Sequence, residues 1–477
     1  MAIVLIGGFI AFLDFFIANV AIPSIQRDLG AGAPETQLVM VGYGAALCVG
    51  LITGGRMGDI FGPRRMFLVG LALFTVSSAA CGLAPNIWFL IVARIVQGLS
   101  SAMLAPQVLA IVSHVYTDEA RGHAFSAYGL MLGLSGLCGQ LIGGVLIALD
   151  VAGLGWRSVF LVNIPIGLVI LVLTPRSVPD IRTGAGAELD LVGAALATVG
   201  LTAVVLPLLE GREQGWPLWA WLSLVVAVPL IALFVTHQRR LAARGGAPLI
   251  DPGLFRSRGF TIGVTAYFVY FMSMGSFFLL FAIYLQEGRG WAPLASGLLF
   301  TTMSAGFFGS SFLAGRIAAR IGNQVIALGA GLVAVGYGTV GVIVSQLGTD
   351  GTAGWVAPGL LVAGFGMGLV AAPLPAAAMA GVDPKHASSA SGVLSTAMEG
   401  GAALGVSLVG LVFFGTLGNP PAPESYPKAF YLGIAVIVAF PLVVTLLVQA
   451  LPEPAPATAG TGREEDEETG AAEQPVR

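Results

Sequence analysis

Long runs of apolar residues, separated by short polar segments, follow one another along nearly the whole chain. Most runs are about 20 residues long, which allows an α-helix to cross about 30 Å of hydrocarbon. They lie at about 3–23, 38–57, 66–84, 87–108, 125–148, 158–174, 191–209, 218–236, 261–285, 295–315, 325–345, 355–376, 390–415 and 429–450. Because the runs are continuous and do not alternate as barrel strands do, the pattern predicts an all-α polytopic membrane protein of about fourteen helices.

The composition excludes a soluble globular domain. Of the 477 residues, 56% are hydrophobic and only 10% are charged, whereas soluble domains carry about 25% charged residues. The exception is the segment 452–477, which contains seven acidic residues and two arginines. We expect this acidic tail to be disordered, solvated and cytoplasmic.

Basic residues are unevenly shared between alternate loops. If the first run starts in the cytoplasm, thirteen basic residues fall in inside loops and five in outside loops. Because basic loops remain in the cytoplasm, we expect both termini there. The preference for arginine over lysine indicates a high-G+C genome, so we expect a bacterial cell (inner or plasma) membrane. The first run begins at Ala2 without a basic segment, which leaves open a start upstream of Met1. Because this run itself carries a motif, we do not expect it to be a cleaved signal peptide.

One polar inter-helix segment occurs twice. The first copy is Gly-Arg-Met-Gly-Asp-Ile-Phe-Gly-Pro-Arg-Arg at 55–65, and the second is Gly-Arg-Ile-Ala-Ala-Arg-Ile-Gly at 315–322. A repeated hinge predicts a duplicated protein with six helices in each half and two between them. We therefore expect these parts: a bundle 1–176, two extra helices 177–240, a cytoplasmic linker 241–260, a bundle 261–451 and the tail 452–477.

Three charged residues lie well inside the apolar runs, namely Asp14, Arg94 and Glu399. Charges within a bilayer are costly and are therefore functional candidates. Burial disfavours the charged form of a carboxyl group, so Asp14 and Glu399 could exchange protons near neutrality. The structural alternatives are an acid paired with a neighbouring helix, a fixed arginine counter-ion and, for Glu399, a neutral hydrogen-bonded acid.

The first hinge resembles the signature loop of the major facilitator superfamily of transporters. Gly55, Asp59, Gly62 and Arg64 match that loop, while Ile60 and Pro63 depart from it. A generic cytoplasmic turn is the alternative interpretation. The resemblance implies two six-helix bundles that rock about a central cavity. It also implies a conformational latch, for which the candidates are Gly55, Asp59, Gly62, Arg64, Arg65, Gly315 and Arg316.

Further segments resemble the fourteen-helix drug:proton antiporter family, a group of multidrug exporters. The stretch 13–23 is similar to its first-helix motif, and Arg94-Ile-Val-Gln-Gly to its fourth-helix motif, whose arginine is implicated in proton coupling. Residues 139–144 are similar to a Gly-Pro-x-x-Gly-Gly motif, with Gln140 in place of proline. Residues 156–167 match a Trp-Arg-x-x-Phe-x-x-Asn-x-Pro-x-Gly motif.

This resemblance implies a proton-coupled exporter of amphipathic drugs or antibiotics, powered by the proton gradient without a cofactor. It assigns proton coupling to Asp14 and Arg94. Glu399 departs from the family, which often has Arg-Gln in this neighbourhood, and we expect it to be a second proton carrier or an attractor of cationic substrate. The candidates for the substrate cavity are Phe15, Asn19, Gln97, Ser101, Gln140, Tyr267 and Tyr270. The candidates for helix packing are Gly139, Gly143, Gly144, Asn163 and Pro165. We expect a monomer that binds no nucleic acid.

Two other functions remain open: a superfamily transporter of a metabolite, siderophore or lipid, and a membrane receptor or scaffold. Intramembrane charges argue against a scaffold, which need not bear their cost. An ATP-driven pump is disfavoured because the chain contains no phosphate-binding Gly-x-x-x-x-Gly-Lys-Ser/Thr motif. The three cysteines and four histidines lack metal-ligand spacing, and no nucleophile–base pair suggests an enzyme.

Overall fold

The computed structural model describes residues 1–116, 118–150, 153–180, 189–211, 214–291, 293–349, 351–383, 386–417, 422 and 424–451. The predicted acidic tail lies outside these residues. The side chain of Gln140 also lies outside the description, although its backbone is helical.

Sixteen α-helices account for most of the described chain. They are α1 (Ala2–Leu29), α2 (Ala33–Phe61), α3 (Pro63–Gly82), α4 (Ile87–Val115), α5 (Asp118–Leu149), α6 (Ser158–Leu161), α7 (Asn163–Ser177), α8 (Leu191–Glu210), α9 (Leu218–Ala243), α10 (Arg258–Ile283), α11 (Pro293–Ile321), α12 (Gln324–Leu347), α13 (Ala357–Ala371), α14 (Pro373–Met379), α15 (Ala387–Leu417) and α16 (Ser425–Val448). The prediction of an all-α membrane protein is confirmed.

Thirteen helical segments in the described ranges are long and apolar enough to cross a membrane. Two of them combine shorter pieces, because α6 with α7 and α13 with α14 each form one span. The 32-residue helix α5 occupies the fifth predicted run and adds one further long helix to these thirteen. Most helices are longer than their apolar runs. Helix α5, for example, begins at Asp118, before its apolar run starts at about 125.

The first hinge forms a tight helix–helix connection. Gly62 alone joins α2 to α3, with φ at +92°, and Pro63 begins the next helix. A positive φ is favourable mainly for glycine, and proline suits the first position of a helix because no amide hydrogen is needed there. The two helices are therefore antiparallel neighbours, as the short polar segment predicts.

Two groups of helices face each other across the molecule, α1–α7 and α10–α16. The extra pair α8 and α9 packs together at the side, and α8 also contacts α2 and α15. The Ser407 hydroxyl of α15 donates to the Leu208 carbonyl oxygen of α8 at 2.9 Å. The extra pair thus touches both halves. The boundaries of the five predicted parts remain a prediction.

The apolar core is shared differently at the two ends of the bundle. We call the end that carries Gly62 the hinge end and the opposite end, which carries Asn86 and Trp156, the far end. At the hinge end one buried cluster combines both halves, from Phe67 and Phe125 to Tyr267 and Leu394. Towards the far end, each half has a cluster of its own. The halves are therefore joined at the hinge end and more separate at the far end.

Candidate functional site

A buried polar cluster surrounds Asp14 in the first half. Nη1 of Arg94 donates to Asp14 Oδ2 at 2.5 Å. Nε2 of Gln97 and Nδ2 of Asn163 donate to Asp14 Oδ1 at 3.0 Å and 2.8 Å. The Ser78 hydroxyl accepts from both amides, at 3.1 Å and 2.9 Å. Helices α1, α3, α4 and α7 therefore meet at one carboxyl group.

The guanidinium of Arg94 is held on several sides. Asp14 and Arg94 are both 0% exposed. The guanidinium carbon lies 4.1 Å from the ring centre of Tyr43 and 5.5 Å from that of Phe160. Its Nε donates to the Val39 carbonyl oxygen at 3.3 Å. The ion pair, the aromatic faces and the carbonyl together compensate an arginine removed from water.

Small residues allow the helices to approach closely around this cluster. A Cβ atom at Gly139 of α5 would collide with Cβ of Phe16, and one at Gly143 with the Ile17 side chain on α1. On α4, a Cβ at Gly98 would meet the Tyr43 carbonyl oxygen of α2. Gly139 and Gly143 therefore lie where α5 approaches α1 closely. Gly144, in contrast, faces open space.

A second layer of hydrogen bonds supports the cluster. The Tyr43 hydroxyl donates to the Ala11 carbonyl oxygen and bonds with the Ser101 hydroxyl, each at 2.9 Å. Tyr43 thereby joins α1 and α4 while its ring covers Arg94. Tyr43 carries no distinguishing signal in the sequence, because an aromatic residue in an apolar run resembles ordinary core.

The hinge acid Asp59 bridges the two halves. Its carboxylate accepts backbone N–H groups of Ser388 at 2.9 Å and Ser389 at 3.0 Å, and it also accepts the Ser389 hydroxyl. These groups belong to the first turn of α15, where unpaired N–H groups and the helix dipole favour an anion. Arg56 lies 4.0 Å from the same carboxylate. Asp59 therefore caps α15 from the other half of the protein.

Glycines make this contact between the halves possible. A Cβ atom at Gly55 would meet the Ser388 carbonyl oxygen, and one at Gly392 would meet the Leu51 carbonyl oxygen. The backbones of α2 and α15 are thus in direct contact beside Asp59. The signal missed in the sequence is the Ser388–Ser389 pair at the start of an apolar run, which is typical of a helix N-terminus.

The hinge arginines contact the first half. Arg64 donates to the Pro175 carbonyl oxygen at 2.8 Å, and Arg65 lies 3.7 Å from Asp180. The partner of Asp59 across the interface is therefore α15, whereas the sequence analysis groups Asp59 with the hinge arginines. In the second copy, Gly315 and Arg316 are exposed. The side-chain atom nearest to Gly315 would be the Ser126 hydroxyl, 3.9 Å from an added Cβ.

Glu399 of α15 lies in a different environment. Its side chain is partly exposed, and no hydrogen bond or ion pair reaches it from the part of the chain that the structure describes. It interacts electrostatically with Tyr43 of α2, Tyr128 of α5 and Tyr267 of α10. Among the residues that the structure describes, Glu399 therefore has no fixed hydrogen-bond or ion-pair partner.

The structure separates the predicted cavity residues into two groups. Gln97, Ser101, Tyr267 and Tyr270 are buried. Of these, Gln97 belongs to the Asp14 cluster, and the Tyr267 hydroxyl contacts Met398 Sδ at 3.9 Å across α10 and α15. Their side chains are packed rather than open in this conformation.

Phe15 and Asn19 are the more accessible cavity candidates. Phe15 is half-buried and its ring lies against Phe16 and Tyr43. Asn19 is exposed, and its amide donates to the Phe15 carbonyl oxygen at 3.0 Å. Both lie on α1 near Asp14. Accessible side chains on this helix therefore come close to the buried cluster.

Asn163 is expected from the sequence to be a packing residue, but it takes part in the polar cluster. Its amide donates to both Asp14 and Ser78. Pro165, two residues further along α7, is exposed. The motif around 156–167 contains the signal, since a buried amide in a span needs polar partners. Ser78 gives no comparable signal, because it lies in an apolar run without a motif.

Two acidic residues just outside the spans have shifted pKa values. Hydrogen bonds from the Trp156 indole, at 2.9 Å, and from Arg157, at 2.5 Å, lower the pKa of Asp28. Burial opposes ionisation of Asp190, yet hydrogen bonds from Gly193 N–H, His237 and Gln238 together lower its pKa. Asp28 fastens the far end of α1, and Asp190 caps α8 at the hinge end.

Within the described ranges, no three or more His, Cys, Asp or Glu side chains are grouped so that they could hold a metal ion. The described cysteines Cys48, Cys81 and Cys138 are free thiols. The arrangement offers buried acid–base pairs and an interface between two helical halves, which suits conformational coupling.

Relatives of known name resemble most of the chain. It is 37% identical over 85% of its length to a probable actinorhodin transporter of Streptomyces coelicolor, covering 71% of that protein. It is 33% identical over 94% of its length to the puromycin resistance protein pur8 of Streptomyces alboniger, covering 90%. It is 33% identical over 85% of its length to the multidrug resistance protein Stp of Mycobacterium tuberculosis, covering 74%.

Solved structures share the fold at low sequence identity. The human organic anion transporter MFSD10 superposes with a TM-score of 0.66 at 15% identity, covering 94% of this chain and 98% of that one. The proton:xylose symporter XylE gives 0.61 at 14% identity, with 95% of both chains covered. The family model described as Major Facilitator Superfamily matches residues 4–406. The chain therefore belongs to the Major Facilitator Superfamily of membrane transporters and is not an enzyme.

Proposed function

We propose that this protein is a proton-coupled exporter of amphipathic drugs or antibiotics that works by alternating access. The Asp14–Arg94 pair carries this proposal, because a fully buried ion pair with further amide donors is a costly feature that a passive membrane protein does not need. The names of the relatives support the substrate class, since they include an actinorhodin transporter, a puromycin resistance protein and a cephamycin export protein.

The ion pair can couple a proton to helix movement. While Asp14 is ionised, it binds Arg94 and receives the Gln97 and Asn163 amides, so α1 is fastened to α4 and α7. A proton on Asp14 cancels its charge and removes the attraction to Arg94. The helices can then shift and substrate can leave. Arg94 favours the return of the carboxylate when the proton departs, which resets the cycle.

Asp59 serves as the latch of one conformation. The bundles 1–176 and 261–451 are joined at the hinge end, where Asp59 caps α15. We assign the hinge end to the cytoplasm from the excess of basic residues in its loops. The conformation described here is then closed towards the cytoplasm and more separated towards the outside, in a multi-pass protein of a bacterial cell membrane.

Glu399 is proposed as a second proton carrier or as an attractor of cationic substrate. A carboxyl group that has no fixed partner among the described residues, and whose charge acts on tyrosines of α2, α5 and α10, is free to bind a proton or a positively charged group. Phe15 and Asn19 extend the accessible surface on the facing helix. In this proposal the extra helices α8 and α9 lie beside both halves, where α8 contacts α2 and α15.

Transport into inverted membrane vesicles with an imposed proton gradient tests this proposal. A fluorescent cationic drug is the probe, vesicle acidity is followed in parallel, and Asp14→Asn is compared with wild type. We expect wild type to accumulate the drug while protons leave, and the variant to do neither. The exposed acid Glu424 at the far end provides a control, since Glu424→Gln should transport normally. A wild type that moves neither drug nor protons would contradict the proposal.

A further inference from the structure

The groups around Asp14 are arranged for its ionised form only. All three neighbours that reach its oxygens are donors, namely Arg94 Nη1, Gln97 Nε2 and Asn163 Nδ2. An ionised carboxylate is an acceptor on both oxygens, whereas a protonated one also has an O–H group that must donate. If Asp14 takes up a proton in the transport cycle, one neighbour must become an acceptor.

Gln97 cannot easily change its role. Its Oε1 accepts Arg94 Nη1 at 2.8 Å and the Cys81 thiol at 3.4 Å. Turning this amide would place its NH₂ group against the guanidinium, where two donors would oppose each other. Gln97 is therefore a fixed donor to Asp14.

Asn163 is not restrained in this way. Its Nδ2 donates to Asp14 and Ser78, but its Oδ1 is buried without any hydrogen-bond partner. An amide turned by half a rotation would leave its NH₂ group unpartnered where Oδ1 now lies, a cost that the new hydrogen bond from the Asp14 O–H group must offset. The Ser78 hydroxyl now donates its single hydrogen to the Phe160 carbonyl oxygen, and it can meet the reversed amide by turning that hydrogen towards Asn163 Oδ1.

We propose that the Asn163 amide reverses when Asp14 is protonated, so that Asn163 Oδ1 accepts the new Asp14 O–H group. The proton comes from water and stays on Asp14, and no other covalent bond changes. The orientation of an amide follows its hydrogen-bond network, so the network of the ionised acid and that of the neutral acid select opposite orientations. Asn163 is thus a positioning residue that serves both states, and this inference rests on the proposed proton coupling.

The other titratable groups around the cluster do not supply the missing acceptor. Arg94 on α4 is a permanent donor. The Tyr43 hydroxyl on α2 already bonds with Ala11 and Ser101, and the Cys81 thiol on α3 donates to Gln97. Glu399 on α15 interacts with Tyr43, one side chain away from Asp14. From α5, the residues opposite α1 beside Asp14 include Gly139 and Gly143, which have no side-chain acceptor.

Infrared difference spectroscopy of the purified protein in lipid nanodiscs, between alkaline and acidic pH, tests the proposal. We expect wild type to gain a carboxylic-acid C=O band that Asp14→Asn lacks. In Asn163→Leu this band should move to higher wavenumber, because the acid loses its acceptor. Asn86→Ser, which keeps a capping side chain at the start of α4, is the matched asparagine control and should leave the band unchanged.

A second measurement uses wild type itself, in case Asn163→Leu fails to fold. With ¹³C-labelled asparagine, the amide C=O band of one asparagine should shift with pH and stop shifting in Asp14→Asn. The proposed amide reversal would be contradicted if the carboxylic-acid band does not move in a folded Asn163→Leu variant. It would also be contradicted if the labelled amide bands do not shift with pH while Asp14 titrates. If no Asp14-dependent band appears at all, the proposed proton site fails, and the reversal with it.

The pH profile of transport separates a reversible amide from a fixed donor. If Asn163 only donated, Asn163→Leu would destabilise the ionised state alone and raise the pH midpoint of transport by about 1–2 units. A reversible amide serves both states, so we expect transport to slow while the midpoint stays near that of wild type. A clear upward shift of the midpoint would contradict the proposal.

Discussion

Asp14 and Glu399 are both carboxylic acids within membrane spans, yet they differ in burial and in hydrogen-bond partners. Asp14 is fully buried and receives Arg94, Gln97 and Asn163. Glu399 is partly exposed and has no hydrogen-bond or ion-pair partner among the described residues. The first acid is built into the structure of its half, whereas we propose that the second remains available to a substrate.

This difference separates two tasks that one acid would combine poorly. A group that holds helices together must have strong, specific partners, and those partners exclude a substrate. A group that meets varied substrates must lack fixed partners. The comparison therefore predicts that mutations at Asp14 and its neighbours change stability and coupling together, while mutations at Glu399 change substrate preference with little effect on stability.

The largest effect is expected when the buried pair is broken. Arg94→Met leaves Asp14 buried without its counter-charge, which should lower the free energy of unfolding by about 3–5 kcal/mol. Asp14→Asn combined with Arg94→Met should recover most of that loss, since neither charge is then unpaired, but should not restore transport. Thermal unfolding of the purified variants in detergent provides the measurement. Equal destabilisation by the single and double variants would refute a functional pair.

Asp59 extends the comparison to a third acid, which is paired across the two halves. Asp59→Asn keeps the shape but loses the charge at the N-terminus of α15, which should weaken the closed hinge end by about 1–2 kcal/mol. We expect transport to be lost while the amount of protein inserted in the membrane stays normal. Vesicle transport and the yield in the membrane fraction measure the two effects. Full activity would exclude the latch.

Glu399→Gln tests the unpaired acid directly. Because no partner is lost, the free energy of unfolding should change by less than about 1 kcal/mol. Transport of cationic drugs should fall, and transport of neutral drugs should change less. A panel of cationic and neutral substrates in the vesicle assay gives the answer. If the variant transports cationic and neutral drugs as well as wild type does, Glu399 has no role in transport.

The smallest effect is expected at the far end of α1. Hydrogen bonds from Trp156 and Arg157 lower the pKa of Asp28, so its contribution to stability is present above its unfolded pKa and is lost as the pH falls through the folded value. Asp28→Asn should therefore cost less than about 1 kcal/mol at neutral pH, because the side chain is well exposed to solvent. The difference in melting temperature from wild type should shrink on acidification. A constant difference would show that its charge is irrelevant.

The sequence predicts the helices and the acids more completely than it predicts their partners. Apolar runs determine the spans. The free-energy cost of a charge within the bilayer is enough to mark Asp14, Arg94 and Glu399 as candidates. The bonds from Asn163 to Asp14 and from Ser388 to Asp59 connect residues 149 and 329 positions apart, so no local pattern reveals them. Whether an intramembrane acid is paired depends on such distant partners, and this is why Asp14 and Glu399 look alike in the sequence.

The uneven apolar core has a thermodynamic consequence. To open the hinge end, the protein must divide the one cluster that both halves share and expose part of it to water. Exposure of apolar surface to water carries a positive heat-capacity change, and its free-energy cost grows on warming from low temperature. The balance between the two faces of the transporter should therefore respond to temperature, with cooling favouring the state in which the shared cluster is split.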